Sequence, residues 1–169
     1  MLTYHPIFDS NHCLFRVLYI LNELDEVPHE IDKIRLFDFY ISAPGALKLF
    51  RANSKQVTSQ KKSILKSLSK YDGIDNSKSL FFDARTIQVT VLNHLAAKNI
   101  ILTEHYEKGL VMLNKIEFKS VISDILSNQN SITDSVVSLI VDELQYIHVL
   151  GHNGLKHRSN LMEYRYDVL

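Results

Sequence analysis

The chain has 169 residues, 46% of them hydrophobic, with 19 Lys and Arg balanced by 19 Asp and Glu. That length supports one solid core. The hydrophobic share excludes a disordered chain, and the zero net charge excludes a uniformly basic nucleic-acid coat. Cys13 is the lone cysteine and has no partner for an internal disulfide, so a reducing compartment, the cytoplasm, is expected. The opening "MLTYHPIFDSNH" lacks the charged head and apolar run of a signal peptide. No uncharged apolar run approaches the roughly 20 residues that span a bilayer, so neither secretion nor a membrane span is expected.

In chain order, Asp9 or Ser10 suits the cap of a first helix. Cys13, Leu14, Val17, Leu18, Leu21 and Leu24 follow at helical spacing, and the helix should end near Asp25. Pro28 suits the first turn of a second helix, which carries Ile31, Ile34, Phe37 and Ile41 and stops before Pro44. The segment from Lys48 to Lys70 is basic, and Ile64, Leu65 and Leu68 predict a helix from about Gln60 to Tyr71. "YDGIDNSKS" has turn chemistry. Asp83 suits the cap of a helix with apolar positions Ile87, Val91, Leu92 and Leu95.

After Asn99 the period shifts. "IILTEHY" and "LVMLNKI" predict two strands joined by a turn at Glu107-Lys108-Gly109. Helix followed by hairpin is the order of a recognition helix and its wing. Two more helices are predicted, over about Lys115 to Ser127 and Thr133 to Leu150. "LGHNGLKHRSN" breaks the second, and "MEYRYDVL" suits a terminal strand or a docking peptide. The fold class expected is mainly α (α+β), a helical domain with a winged helix-turn-helix-like arrangement and one β-hairpin wing. Residues 1–169 are expected to form one domain, divided into an N-terminal helical pair (1–50), a basic segment (51–80), helix plus wing (81–118), and C-terminal helices and tail (119–169).

Two charges interrupt the apolar runs of the first two helices: Arg16 within "CLFRVLYIL" and Asp38 within "RLFDFYI". A carboxylate does not enter an apolar neighbourhood without a partner. Opposite charges so placed predict a partly buried Arg16–Asp38 pair. Arg35 is a rival local partner at helical spacing, and the bland alternative is that each charge faces water. General acid–base work by Asp38 would need a second group and a pocket, and the sequence points to neither.

The chemistry-bearing residues elsewhere have dull readings beside sharp ones. His148, His152 and His157 could hold zinc, the first two as an i, i+4 pair. However, Gly151 lies between them, and "HVLGH" has no Glu where a metalloprotease motif needs one. Surface or helix-end histidines are the better reading, and no metal is expected. Cys13 lies on an apolar stripe and reads as a buried structural thiol rather than a nucleophile. With five glycines in the chain, no phosphate-cradling loop or nucleophile elbow is present. No catalytic residue and no cofactor are expected.

The basic segment has no acidic residue from Lys48 to Lys70. Lys55, Lys61, Lys62, Lys66 and Lys70, with Lys98 and Lys108, are candidates for contact with DNA phosphates or an acidic partner. The alternative is a solvated loop and helix face. The expected recognition helix "ARTIQVTVLNHLAAK" has few side chains able to read base edges beyond Arg85, Gln88 and Asn93. A protein-binding use of such a domain fits it better than operator binding.

"YHPIFDSNHCLFRVLYIL" followed by "DKIRLFDFYISAP" resembles the N-terminal pattern of the middle components of ABC-three-component systems, the Lamassu-type antiphage defence operons. The matching residues are Tyr4, His5, Pro6, Phe8, Asp9, His12, Phe15, Arg16, Arg35, Asp38, Phe39 and Tyr40, covering the first quarter of the chain. The resemblance implies a small, winged-helix-like, non-catalytic protein. It would bridge an SMC- or Rad50-like ABC ATPase to an effector, often a nuclease, and hold the effector silent until foreign DNA is sensed. A free-standing winged-helix transcription regulator is the alternative from another class.

Overall fold

The computed structural model describes residues 6–69, 76–119 and 131–163, with only the backbone described at 131 and 132. Lys70, the far half of the helix expected over 115–127, and the tail beyond residue 163 lie outside the described residues, as do Tyr4 and His5.

The first helix, α1 (Ser10–Glu23), starts where Asp9 accepts a hydrogen bond from the His12 backbone N–H at 2.8 Å. Cys13, Val17, Leu18, Ile20 and Leu21 form its buried stripe. The second helix starts later than Pro28 predicts. His29–Glu30 instead form a short strand, β1, and α2 (Ile31–Ser42) follows. The reason is tertiary: His29 and Glu30 pair antiparallel with Val111 and Leu110 of β2 (Leu110–Val111). From Lys33 to Ile41 every residue of α2 is buried. A helix enclosed on all sides sits at the centre of the core, and its charged residues need partners there.

A 3-10 helix over Pro44–Leu49 leads to α3 (Lys55–Ser67), capped by the Ser54 hydroxyl, which accepts from the Val57 N–H at 3.1 Å. α3 thus begins well before Gln60. Two helices then meet end to end, α4 (Ser77–Asp83) and α5 (Arg85–Ala97). Asp83 closes α4 rather than capping α5.

The expected hairpin is reduced to its base. Leu102 N–H donates to Met112 O at 2.9 Å, Asn114 N–H donates to Ile100 O at 2.8 Å, and Ile101 bridges Leu113. Beyond Leu102 the chain coils into α6 (Thr103–Tyr106), because the His105 and Tyr106 N–H groups both turn back to Leu102 O at 3.1 Å. Gly109, at φ +78°, reverses the chain into β2, whose own partner is β1. Lys115–Phe118 then form a single helical turn, α7.

α8 (Ser131–Asp142) is shorter than the predicted helix over 133–150. Glu143 leaves helical geometry at φ −132°, and a 3-10 turn follows over Leu144–Tyr146. Gln145 makes this break affordable: its amide donates to Val141 O at 2.6 Å, and its carbonyl accepts from the Asp25 N–H at 3.0 Å. A last short helix, α9 (Leu155–Ser159), stops at left-handed Asn160. The core lies where α1, α2 and α8 meet, with α5 on α1 and α3 on α8. Edge-to-face rings, Phe39 on Phe81 and Tyr40 on Phe50, close it around α2. The architecture is mainly helical with a small antiparallel sheet.

Candidate functional site

The polar residues that α2 carries into the core define the most unusual chemistry of the chain. Asp38 is wholly enclosed, at 0% exposure. Its Oδ1 accepts from Arg16 Nε of α1 at 2.7 Å. Its Oδ2 accepts from Gln88 Nε2 of α5 at 2.8 Å, with the Cys13 thiol at 3.7 Å. One carboxylate therefore joins three helices. Arg16 also donates from Nη1 to Pro6 O at 3.2 Å, tying the N-terminal 3-10 turn to the same point. Burial, and then the Asp38 charge, push the Cys13 thiol far above its ordinary value. That shift favours the neutral thiol, which is the less nucleophilic form.

Arg35 does not reach Asp38 directly. Its Nε donates to Gln88 Oε1 at 3.1 Å, and Gln88 Nε2 returns a bond to Arg35 O at 2.9 Å. Its Nη1 donates to Asp32 Oδ1 at 2.8 Å, and its guanidinium lies 4.9 Å from the centre of the Phe81 ring. Burial lowers the pKa of Arg35, Asp32 opposes that, and the nearby Arg85 charge adds to the lowering. Gln88 is the member that sequence reasoning placed elsewhere, as a reader of base edges. The signal for its true position was its spacing. It precedes Val91, Leu92 and Leu95 by three, four and seven residues, on the buried stripe of α5.

The network surfaces at a groove of about 450 Å³ whose lining includes Asp32, Arg35, Lys78, Phe82, Arg85 and Lys156. Lys156 Nζ lies 4.0 Å from Asp32 Oδ2. The groove thus runs between α2, the α4–α5 junction and α9.

The lysines singled out from the sequence divide. Lys55, Lys62 and Lys66 are exposed on α3, whereas Lys61 turns inward and donates to Phe50 O at 2.8 Å. Lys98 and Lys108 are also exposed, but they stand at the end of α5 and in the turn before β2. α3 rests on α8 and the 44–49 turn, and α5 rests on α1. Of the expected base readers, Gln88 is 1% exposed and Asn93 Oδ1 accepts from the Tyr106 hydroxyl at 2.7 Å. Arg85 alone of the three has an exposed side chain with no hydrogen bond to the described residues.

The histidines do not share a helix, because α8 has ended before His148. His152 and His157 stack at 5.0 Å, and His157 Nε2 lies 3.2 Å from Arg51 Nη1. Among the described residues no group of three or more His, Cys, Asp or Glu side chains is placed to hold a metal.

The family described as ABC-three component (ABC-3C) system Middle Component 5 matches residues 2–167. The chain belongs to this family. The match takes in both the buried network and the groove of this middle component, and membership implies partner proteins within a multi-component system. No curated protein and no solved structure matches the chain. Among the described residues of the middle component, no helix is long and apolar enough to cross a membrane.

Proposed function

We propose that this middle component is a non-catalytic adaptor. It links an SMC-like ABC ATPase to an effector, expected to be a nuclease, in a cytoplasmic antiphage complex of the Lamassu type. The observation that carries the reading is the family match over residues 2–167. The way the buried charges are spent supports it: Arg16 and Asp38 join helices, with Arg35 tied beside them through Gln88. The basic face of α3, with Lys55, Lys62 and Lys66, would meet DNA or an acidic surface of the ATPase. The order α1–β1–α2, then α5, Ile101 and β2, supports a winged-helix reading with α5 in the recognition position. With Gln88 enclosed and Asn93 engaged, α5 suits a protein partner better than base edges. This weakens the alternative, a free-standing transcription regulator.

Co-expression with the neighbouring gene products, followed by affinity purification and light scattering, tests the proposal. The expected outcome is a complex containing ATPase, effector and this chain. A homodimer that ignores both neighbours and binds one operator tightly over random DNA would reject it. Reversing Lys55, Lys62 and Lys66 to Glu should weaken association with DNA or with the ATPase and leave the melting temperature unchanged.

A further inference from the structure

The groove beside the buried network is rich in cations. Among the described residues, Arg35, Lys78, Arg85 and Lys156 line it with Asp32 and Glu163, four positive against two negative, an excess of two. Asp32 is already committed to Arg35 and lies near Lys156. Lys78 and Arg85 are exposed and make no hydrogen bond or ion pair with the described residues. Like charges crowd here, since Arg85 disfavours the charged form of Arg35.

The groove also offers apolar surface. Phe81 is buried under the Arg35 guanidinium, whereas its neighbour Phe82 stands 71% exposed on the groove lining. Leu161 and Met162 line the same groove. An exposed aromatic beside cations that have no partner among the described residues is the composition of an interface anchor rather than of a solvated helix face.

We propose that this groove receives an acidic segment of a partner protein, a carboxylate-bearing stretch that also carries an aliphatic or aromatic side chain. Its carboxylates pair with Lys78 and Arg85, and its apolar side chain covers Phe82. The concave shape favours an extended polypeptide over a duplex, and the apolar surface of Phe82 suits a segment that carries an apolar side chain beside its carboxylates. The inference rests on the adaptor reading and deepens it, by giving the chain a docking site separate from the basic face of α3.

The test uses overlapping fluorescent peptides tiled from the other two components of the same system, titrated against the full chain by anisotropy. An acidic, apolar-bearing peptide should bind, and more weakly as salt rises. Its affinity should fall about tenfold or more in the Lys78→Glu/Arg85→Glu double variant, and measurably in Phe82→Ala. Lys62→Glu/Lys66→Glu should leave it unchanged. All the substituted side chains are exposed, and an unchanged melting temperature verifies folding. The inference is overturned if no tiled peptide binds, if the double variant binds peptides as well as the parent, or if the groove substitutions abolish binding of random duplex DNA instead. Co-purification of the wild-type chain with the intact components would then still stand, so failure of the groove and failure of the adaptor reading remain distinct.

Discussion

Arg35 and Gln88 hold each other at two points: Arg35 Nε donates to Gln88 Oε1, and Gln88 Nε2 donates to the Arg35 carbonyl. The same amide nitrogen also serves Asp38. One neutral side chain from α5 thereby satisfies a cation and an anion of α2, which lie three residues apart on the same helix.

Gln88→Leu keeps the volume roughly and removes all three bonds. An unpaired buried polar group costs about 1–3 kcal/mol, so the variant should lose at least about 2 kcal/mol in urea unfolding. A loss under ~0.5 kcal/mol would mean that the network holds nothing together.

Arg16→Met should be harsher, since it leaves Asp38 enclosed without its cation. Removing one member of a buried pair costs about 3–5 kcal/mol. Adding Asp38→Leu to that variant should recover part of the loss, because the orphaned charge disappears with it. A double variant weaker than Arg16→Met by the full cost of Asp38→Leu alone would show the two residues to be uncoupled.

His29 is 4% exposed, with Nε2 3.1 Å from Asp25 O. Burial lowers its pKa below the ordinary value of 6.5. The unfolded chain therefore binds the proton more readily than the folded one, and stability rises with pH in this window. Its contribution is complete above the unfolded pKa and is lost as pH falls below about 6.5 toward the folded value. Unfolding measured between pH 7 and pH 5 should show this slope, and His29→Gln should flatten it. An identical slope in the variant would assign the effect to other groups.

Gly154 and Gly109 answer to different constraints. A Cβ at Gly154 would lie 2.6 Å from Val149 O and closer still to Leu150 O, both backbone atoms. Gly154→Ala should cost about 2 kcal/mol or more and disturb α9. Gly109→Ala meets nothing within 4 Å and pays only for its positive φ, about 1 kcal/mol. Thermal melts that rank them the other way would contradict the packing of the 149–154 turn.

Local signals carried the first two helices well. The Asp9 cap and the apolar spacing of α1 are read from neighbouring residues, and so is the stop of α2 before Pro44. What escaped was long-range. Nothing near His29 announces that it will pair with Val111, so Pro28 read as a helix start. "IILTEHY" looked extended because of its first residues, yet only Ile100–Leu102 find a partner strand, and the remainder curls into α6. Within the buried network, the charges betrayed themselves by interrupting apolar runs. Gln88 did not, because a neutral amide on a helix reads as surface until its stripe is drawn. The groove was invisible for the same reason: Asp32, Arg85 and Lys156 are far apart in the chain, and only the packing of α2, α4, α5 and α9 brings them together.

Cys13 is wholly enclosed beside Asp38, at the seam between α1 and α2, and it is the chain's lone thiol. A thiol reagent can therefore label the native protein only during moments when that seam parts. The labelling rate, compared with that of the unfolded chain, becomes a direct gauge of how often the two helices breathe. A partner that clamps them would be seen as slower labelling, without any engineered probe.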